Sequence, residues 1–390
     1  SYEEIKQSHK MASQIPEKML AAQLIEFKKP YKIHEIPTPG KDLNEYDLLV
    51  KVAVGSLCHT DGMVSEGIMG TELPCIPSHE GSGTVVKVGS AINEFHIGDR
   101  ILCSLNYHRC GVCADCIGPE EDSHYCSNVG GYLGVTRDGS FAEYEVVDGR
   151  ECCLLPDNVS FTSAAPLACA GITIWGGIAR AQRAGLKAGE AIAIVGAGGG
   201  LGHLGVQFAK ALGFRVIAID ARDEGLRLAQ ESGADATIDA RKPKEVVVEE
   251  VKKITGGQGA EVTLNVSDHE TAAALGAAIT KMHGMLIQIA QPPNVSVPFA
   301  ELIFRDIKIL AIIPDMSSKL TSEGSREEIK KMLEVVSKHN IKVKTNTFDG
   351  IKEVPKAIEL AHSGKMQGKP VILIDNQAIE KEKKSGLQMV

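Results

Sequence analysis

Four cysteines stand close together in the chain at a spacing typical of a metal site. Cys110, Cys113 and Cys116 follow a C-x2-C-x2-C pattern, and nine residues separate Cys116 from Cys126. Thiolates so near in sequence can converge on a tetrahedral zinc ion that has no open position, which is a structural site. His124 is an alternative fourth ligand, although four thiolates are the better fit. Coincidental free thiols are the competing interpretation.

A second set of metal-ligand residue types is scattered along the chain. Cys58 follows a predicted strand, His79 opens a glycine-rich stretch, and Cys169 lies in the segment PLACAGIT. Two cysteines and a histidine are a catalytic zinc set, because three protein ligands leave one position for substrate. Spacing alone does not show that they meet; taken singly, Cys169 is a core residue and His79 a loop histidine. The remaining cysteines are interpreted as packing residues: Cys75, Cys103, Cys152 and Cys153.

A glycine-rich turn follows the apolar run AIAIV and opens a predicted helix. Glycines there let the backbone approach a pyrophosphate, whose charge is stabilised at a helix N-terminus. Asp220 ends the next strand; its carboxylate can bind both ribose hydroxyls and repels a 2′-phosphate, which favours NAD over NADP. Arg222 leaves NADP open. The turn residues assigned to the cofactor are Gly196, Gly199, Gly200, Leu201 and Gly202.

Two sequence textures predict two domains of an α/β protein. Residues from about 20 to 165 contain short alternating runs separated by turn signals, which favour a barrel-like antiparallel β domain. From about Ala191, six apolar runs alternate with helix-length segments, which predicts a doubly wound parallel sheet. We assign residues 1–171 and 314–390 to the first domain and residues 172–313 to the second. The charged C-terminal segment is interpreted as a solvated tail.

Composition limits the possible partners. The chain has 390 residues, a net charge of -8 and 43% hydrophobic residues, so it offers no attraction for nucleic acid or anionic membranes. We expect no segment of the roughly 18 to 20 apolar residues that span a bilayer. The first residues carry no apolar signal-like stretch. These observations predict a cytoplasmic protein, in which clustered thiols are metal ligands more often than disulfides.

At these residues the sequence resembles the zinc-dependent medium-chain alcohol dehydrogenases, and most of all the yeast-type fungal enzymes. The segments that carry the resemblance occur in the family's order: CHTD, HEGSGTVVKVG, IGDR, DGSFAEY, CAGIT, GGLG and RVIAID. It runs from about Pro16 to about Asp375. The resemblance implies a GroES-like catalytic domain, a Rossmann cofactor domain and an active site in the cleft. It also implies a homotetramer, with a dimer as the alternative.

The resemblance assigns roles around the catalytic metal. Cys58, His79 and Cys169 match the catalytic zinc ligands, which supplies the convergence that spacing does not. Glu80 matches a nearby carboxylate that can visit the metal. Asp61 matches the residue that orients the ligand His79, a role expected for histidine ligands in general.

The resemblance also implies which residues take part in hydride transfer and which bind the cofactor. Zinc binds the alcohol oxygen and lowers its pKa, and Thr60 takes the hydroxyl proton while hydride leaves for nicotinamide. Lys369 stands where the family has an arginine for phosphate, so the charge is kept but the fork geometry is lost; a surface lysine is the alternative. The other implied cofactor contacts are His59 at the pyrophosphate, Thr173 beside the nicotinamide, and Ile289, Ala290 and Gln291 along the cofactor.

Several positions depart from the family pattern. Met63 replaces the histidine that ends the proton relay, so proton release must use water or another group. Leu105 replaces a tryptophan that narrows the pocket, and the loop Ser65–Leu73 is short and lacks its aromatic residue, which predicts room for bulkier substrates. The loop between Cys116 and Cys126 is two residues longer than usual. Ala311–Met316 replaces a segment near the domain junction.

The function predicted from these observations is reversible interconversion of a primary or secondary alcohol with an aldehyde or ketone. The cofactors are NAD and two zinc ions per chain, one catalytic and one structural. The alternative enzyme is an NADPH-preferring aldehyde reductase of the same superfamily. A zinc-binding scaffold without chemistry is the rival from another class; it predicts that the catalytic ligands are replaced, whereas Cys58, His79 and Cys169 are all present.

Overall fold

The computed structural model describes residues 15–311 and 325–387. They form two compact units. The first contains the described residues up to Cys169 together with 325–337 and 345–387, and the second contains those from Ala170 to 311 together with Lys338–Lys344. The predicted boundary between residues 313 and 314 lies outside the described residues. So do residues 1–14 and, beyond Ala311, the departing segment 311–316.

Strands and helices alternate along the described chain in the order that the two textures predict. The strands are β1 (Lys18–Gln23), β2 (Lys32–Pro37), β3 (Asp47–Ser56), β4 (Glu80–Val88), β5 (Arg100–Leu102), β6 (Asn106–Tyr107), β7 (Gly131–Tyr132), β8 (Tyr144–Asp148), β9 (Cys153–Leu154), β10 (Ala191–Val195), β11 (Arg215–Asp220), β12 (Ala236–Asp239), β13 (Ala260–Asn265), β14 (Thr280–Gln288), β15 (Lys308–Ala311), β16 (Thr345–Asp349) and β17 (Lys369–Leu373). The α-helices are α1 (His59–Glu66), α2 (Ala114–Ile117), α3 (Phe161–Pro166), α4 (Ile172–Arg183), α5 (Gly202–Ala211), α6 (Asp223–Glu231), α7 (Lys244–Ile254), α8 (Ala272–Ile279), α9 (Phe299–Ile303), α10 (Arg326–His339), α11 (Val354–His362) and α12 (Asn376–Lys384).

The first unit is built on a seven-stranded sheet in the order β16-β17-β3-β4-β5-β9, with β8 also paired to β3. Most of its pairs are antiparallel, as the alternating runs predict. β3 is buried along nearly its whole length because its run DLLVKVAVGS is apolar on both faces. Its pairing with β4 sets Ser56 opposite Glu80. That register brings the residues just after β3 beside those just before β4.

The second unit contains a six-stranded parallel sheet in the order β12-β11-β10-β13-β14-β15. This is the doubly wound order 3-2-1-4-5-6, so the predicted Rossmann fold is confirmed. Each strand coincides with one of the six apolar runs. The predicted helix after the first strand is α5, whose buried residues include Leu204 and Phe208. The chain then leaves the helix at Gly213, where φ is +83°.

One short segment belongs to the second unit although the sequence places it in the first domain. Backbone groups of Lys342 hydrogen-bond the Gln207 side chain of α5, at 2.8 and 2.9 Å. The Lys344 N–H lies 3.1 Å from His203 Nε2, on the same helix. These contacts hold Lys338–Lys344 to the cofactor-type unit.

The prediction that no segment reaches membrane-spanning length and hydropathy is wrong for one helical run. Phe161–Arg183 comprises α3, a π-helical turn at Leu167–Gly171, and α4. Within the run, 89% of the most apolar 18-residue window is buried inside the protein. Its hydrophobicity is therefore explained by packing in the core, where apolar side chains are removed from water.

Candidate metal centres and cofactor turn

Three of the scattered metal-ligand residues meet in the first unit. The ligand atoms of Cys58, His79 and Cys169 all lie within 4.8 Å of one another, and the two sulfur atoms are 3.8 Å apart. Cys58 directly precedes α1, His79 directly precedes β4, and Cys169 lies in the π-helical turn. The pairing of β3 with β4 and the packing of α3 against both strands bring them together.

Asp61 fixes the backbone that carries two of these residues. Its carboxylate accepts hydrogen bonds from the N–H groups of Cys58, at 2.8 Å, and Ser78, at 2.9 Å. These bonds hold the two segments that carry Cys58 and His79, and the predicted role of Asp61 in orienting the His79 ring stays a prediction. His79 is 3% exposed, and its Nδ1 is buried with no hydrogen-bond partner among the described residues.

The pKa values of the ionisable side chains in and beside this cluster are strongly shifted. A hydrogen bond from Cys169 lowers the pKa of the Cys58 thiol well below its usual value. Burial would lower the pKa of His79, but the adjacent Cys58 and carboxylates raise it to about 9. Burial raises the pKa of Asp61 to about 6. Two partly buried cysteine sulfurs and a buried imidazole nitrogen without a hydrogen-bond partner among the described residues form a donor set that fits a zinc ion with three protein ligands.

Lys369 is buried beside Glu80, the residue that follows His79. Its ammonium donates to the Leu57 carbonyl at 2.8 Å and to Glu80 Oε1 at 2.9 Å, and it forms an ion pair with the Glu80 carboxylate, whose Oε2 lies 2.8 Å from Lys369 Nζ. Lys369 is only 4% exposed. The alternative of a surface lysine is therefore wrong, and Lys369 is the counter-charge of Glu80 in this structure. Its contact with a cofactor phosphate stays a prediction.

Thr60 and His59 lie in the first turn of α1, directly after Cys58. Thr60 is 8% exposed, and its Oγ1 lies 3.7 Å from Cys58 Sγ. His59 is exposed. Met63 is buried on the same helix. Its thioether side chain has no titratable group, so it cannot carry a proton onward. Leu105 is 3% exposed and packs in the main apolar core of this unit.

The four loop cysteines form a separate cluster. The sulfur atoms of Cys110, Cys113, Cys116 and Cys126 all lie within 4.8 Å of one another, so the longer loop still brings the fourth thiol to the group. Cys126 occupies the position for which His124 was the alternative. Backbone N–H groups point at the sulfurs, as from Cys110 to Cys126 and from Cys113 to Cys110, both at 3.3 Å. Such bonds lower the pKa of Cys113 to about 6.

The glycine turn of the second unit has the geometry of a dinucleotide site. Gly196 has φ of +87°, which other residues rarely adopt. A Cβ at Gly202 would lie 2.2 Å from the Gly196 carbonyl oxygen, so only glycine fits there. Asp220 accepts hydrogen bonds from the N–H groups of Gly198, at 2.9 Å, and Arg222, at 3.0 Å. The carboxylate therefore borders the turn, as the sequence predicts.

The remaining cofactor residues lie in the same unit. Ile289 and Ala290 follow β14, and their N–H groups donate to the Asn265 carbonyl at 2.9 and 3.0 Å. Gln291 is the next residue, and Thr173 lies in α4. β13 ends at Asn265 and β14 ends at Gln288, at the same edge of the sheet. Ligands of doubly wound proteins bind at this edge. Their contacts with a cofactor stay predictions.

Sequence reasoning missed the contact between Lys369 and Glu80. The two residues are 289 positions apart and meet because β17 pairs with β3. A lysine at the start of an otherwise apolar strand was the one available signal, since a buried charge needs a partner.

Comparison with known proteins agrees with this geometry. Residues 44–157 match the alcohol dehydrogenase GroES-like domain, and residues 200–338 match the zinc-binding dehydrogenase domain. Alcohol dehydrogenase 1 of Emericella nidulans is 31% identical over 346 residues, which cover 88% of this chain and 93% of that protein.

Solved structures are similar over the same length. An alcohol dehydrogenase from Aeropyrum pernix matches with a TM-score of 0.79 and 27% identity, over 91% of this chain and 99% of that one. A zinc-binding dehydrogenase from Sinorhizobium meliloti, solved with NADP, matches with a TM-score of 0.78 and 25% identity, over 92% and 100%. The resemblance inferred from motifs is confirmed. This chain belongs to the zinc-binding medium-chain alcohol dehydrogenase family and is an oxidoreductase of the alcohol dehydrogenase type.

Proposed function

We propose that the chain is a zinc-dependent, NAD-linked dehydrogenase that interconverts alcohols with aldehydes or ketones. The observation that carries the proposal is the convergence of Cys58, His79 and Cys169, whose ligand atoms lie within 4.8 Å of one another. Three ligands leave one position of a tetrahedral ion open to substrate. A second zinc would be held by the four loop cysteines, which leave no open position.

A zinc ion bound by these three residues supplies Lewis acidity, which lowers the pKa of a coordinated hydroxyl group. The Thr60 hydroxyl lies beside Cys58, where it would accept the hydroxyl proton of an alcohol and release its own proton toward the cofactor ribose. Asp61 keeps Cys58 and the segment before His79 in register. Lys369 balances Glu80 and limits the negative charge close to the metal ligands.

The glycine turn and Asp220 support NAD as the hydride acceptor. A carboxylate at the end of the second strand binds ribose hydroxyls and repels a 2′-phosphate. One observation favours the NADPH-preferring aldehyde reductase as a second candidate. The Arg222 side chain is 38% exposed beside Asp220, and a related structure holds NADP.

A substrate panel followed by NADH absorbance, with zinc measured on the same protein, tests the function. We expect two zinc ions per chain, activity with NAD, and a higher kcat/KM for aromatic or medium-chain alcohols than for ethanol. The physical reason is the leucine at position 105 and the short loop Ser65–Leu73, which leave more volume for substrate. No activity on any alcohol by zinc-loaded protein would contradict the function, and ethanol as the best substrate would contradict only the pocket.

The protein is further proposed to act in the cytoplasm as a homo-oligomer, a tetramer or else a dimer. None of its ten cysteines, all of them described, forms a disulfide, as both metal sites require. Phe299, Ile303 and Phe304 are 64%, 63% and 70% exposed, on and after α9. β15 is an edge strand of the described sheet. Exposed apolar side chains and an edge strand are each typical of a subunit interface.

Light scattering is expected to give a mass that is a multiple of the 41.6 kDa chain. Replacing Ile303 by aspartate should dissociate the assembly, because a charge in an apolar interface is costly. Glu301→Gln on the same helix is the matched control. A monomeric wild-type mass would contradict the proposal.

A further inference from the structure

The helix α12 lies beyond the part of the chain that carries the family resemblance, and it is docked rather than solvated. Ile379 is 1% exposed and Glu382 is 4% exposed. Asp375 begins the helix, since its carboxylate accepts from the N–H groups of Gln377 and Ala378 at 3.1 and 3.3 Å. The same carboxylate pairs with Lys51 of β3 at 2.8 Å. Within the predicted solvated tail EKEKKSG (380–386), the prediction is wrong for Glu382, and the other six residues are exposed.

Glu382 meets the start of another helix. Its two oxygens accept from the Phe161 N–H at 3.1 and 3.0 Å, at the first residue of α3. It also pairs with Arg100, whose guanidinium carbon lies 4.8 Å from the centre of the Phe161 ring. A carboxylate at a helix N-terminus satisfies a backbone donor that has no partner within the helix.

The helix that Glu382 contacts carries one of the three catalytic metal-ligand residues. Cys169 lies eight residues after Phe161 on the same helical run, a distance of about 12 Å along the axis at 1.5 Å per residue. The Phe161 carbonyl accepts from the Ser82 hydroxyl at 2.8 Å. Ser82 lies in β4, three residues after His79. Phe161 is thus held both by the strand that follows His79 and by α12.

We propose that Glu382 is a positioning residue, through which α12 holds α3 and so sets Cys169 relative to Cys58 and His79. The inference rests on the proposed catalytic zinc site. Metal–ligand distances tolerate only about 0.2 Å. Because α3 packs against β3 and β4 and runs directly into the turn that carries Cys169, we expect a shift at Phe161 to move the Cys169 sulfur relative to the other two ligands.

The test compares how fast zinc leaves the two sites of the full-length protein in the presence of a chromogenic chelator. In Glu382→Ala we expect release from the catalytic site to be about tenfold faster, the factor that loss of a buried charged partner implies. Release from the four-cysteine site should not change. The visible spectrum of the protein with cobalt(II) in the catalytic site should also shift.

Two controls separate positioning from stability. Glu380→Ala removes an exposed glutamate on the same helix, which pairs only with Lys383 in the described contacts. Val336→Ala removes apolar volume from α10 of the same unit and serves as the variant with a comparable loss of Tm. Glu382→Gln keeps an oxygen for Phe161 but loses the charge, so it should show a smaller acceleration and serves if the alanine variant does not fold.

The outcomes are distinct. Selective acceleration in the Glu382 variants, with both controls near wild type, supports the inference. Equal acceleration in Glu382→Ala and Val336→Ala, or none in the Glu382 variants, overturns it while leaving the proposed function intact. Wild-type protein that holds only the four-cysteine zinc overturns the proposed function and this inference together.

Discussion

Replacing Cys58 by serine is expected to lower kcat for alcohol oxidation by at least about a thousandfold, because a lost ligand removes several kcal/mol of metal assistance. Cys58 stands 3.8 Å from the Cys169 sulfur and beside the buried His79 nitrogen. A serine hydroxyl is a much weaker ligand than a thiolate at neutral pH. Zinc content should therefore fall from two ions per chain to one.

The measurement pairs initial rates with metal analysis on the same preparation. Cys75→Ser is the matched control, since Cys75 is a buried cysteine that belongs to neither cluster. It should keep both zinc ions and near wild-type activity. Full activity in Cys58→Ser, or loss of the four-cysteine zinc in place of the catalytic one, would show that the catalytic centre lies elsewhere.

Replacing Asp220 by serine is expected to raise the ratio of kcat/KM with NADP to that with NAD by about a hundredfold. The reason is electrostatic, because a carboxylate beside a 2′-phosphate costs several kcal/mol. Asp220 is 5% exposed and borders the turn through its bond to the Gly198 N–H. Serine keeps a hydrogen-bond acceptor for this N–H while it removes the charge, and Arg222 remains to bind phosphate.

Initial rates with both cofactors at matched concentrations decide the outcome. Asp223→Ser is the matched control, because that carboxylate is 74% exposed three residues further on. Its cofactor ratio should stay within about twofold of wild type, as screening by water predicts. An unchanged ratio in Asp220→Ser would remove the argument for NAD, and a wild-type preference for NADP would favour the reductase alternative.

Local patterns in the sequence were sufficient for much of the architecture. Each of the six apolar runs became a strand of the parallel sheet, and the turn after β10 has the positive φ at Gly196 that a glycine allows. The four-cysteine cluster also follows from local spacing, since C-x2-C-x2-C places its thiols within one loop. Hydrophobic periodicity, turn-forming residues and ligand spacing within a loop each depend on a few neighbouring residues, so they can be recognised in the sequence.

Contacts between distant segments required the tertiary structure. The meeting of Cys58, His79 and Cys169 depends on the register of β3 with β4 and on the packing of α3, so spacing left it open. Family resemblance supplied that set, but it did not predict that the pairing of β17 with β3 brings Lys369 to Glu80.

The charged segment after Asp375 is a second case in which the local sequence did not predict a contact between distant segments. Its composition, rich in lysine and glutamate, predicts solvation, yet Glu382 is buried on the start of α3. The two fold types, the thiolate loop and the cofactor turn could be predicted from short windows of sequence, because neighbouring residues encode them. Which charges are buried together could not, since the contacts of Glu80 with Lys369 and of Glu382 with Phe161 join segments far apart in the chain.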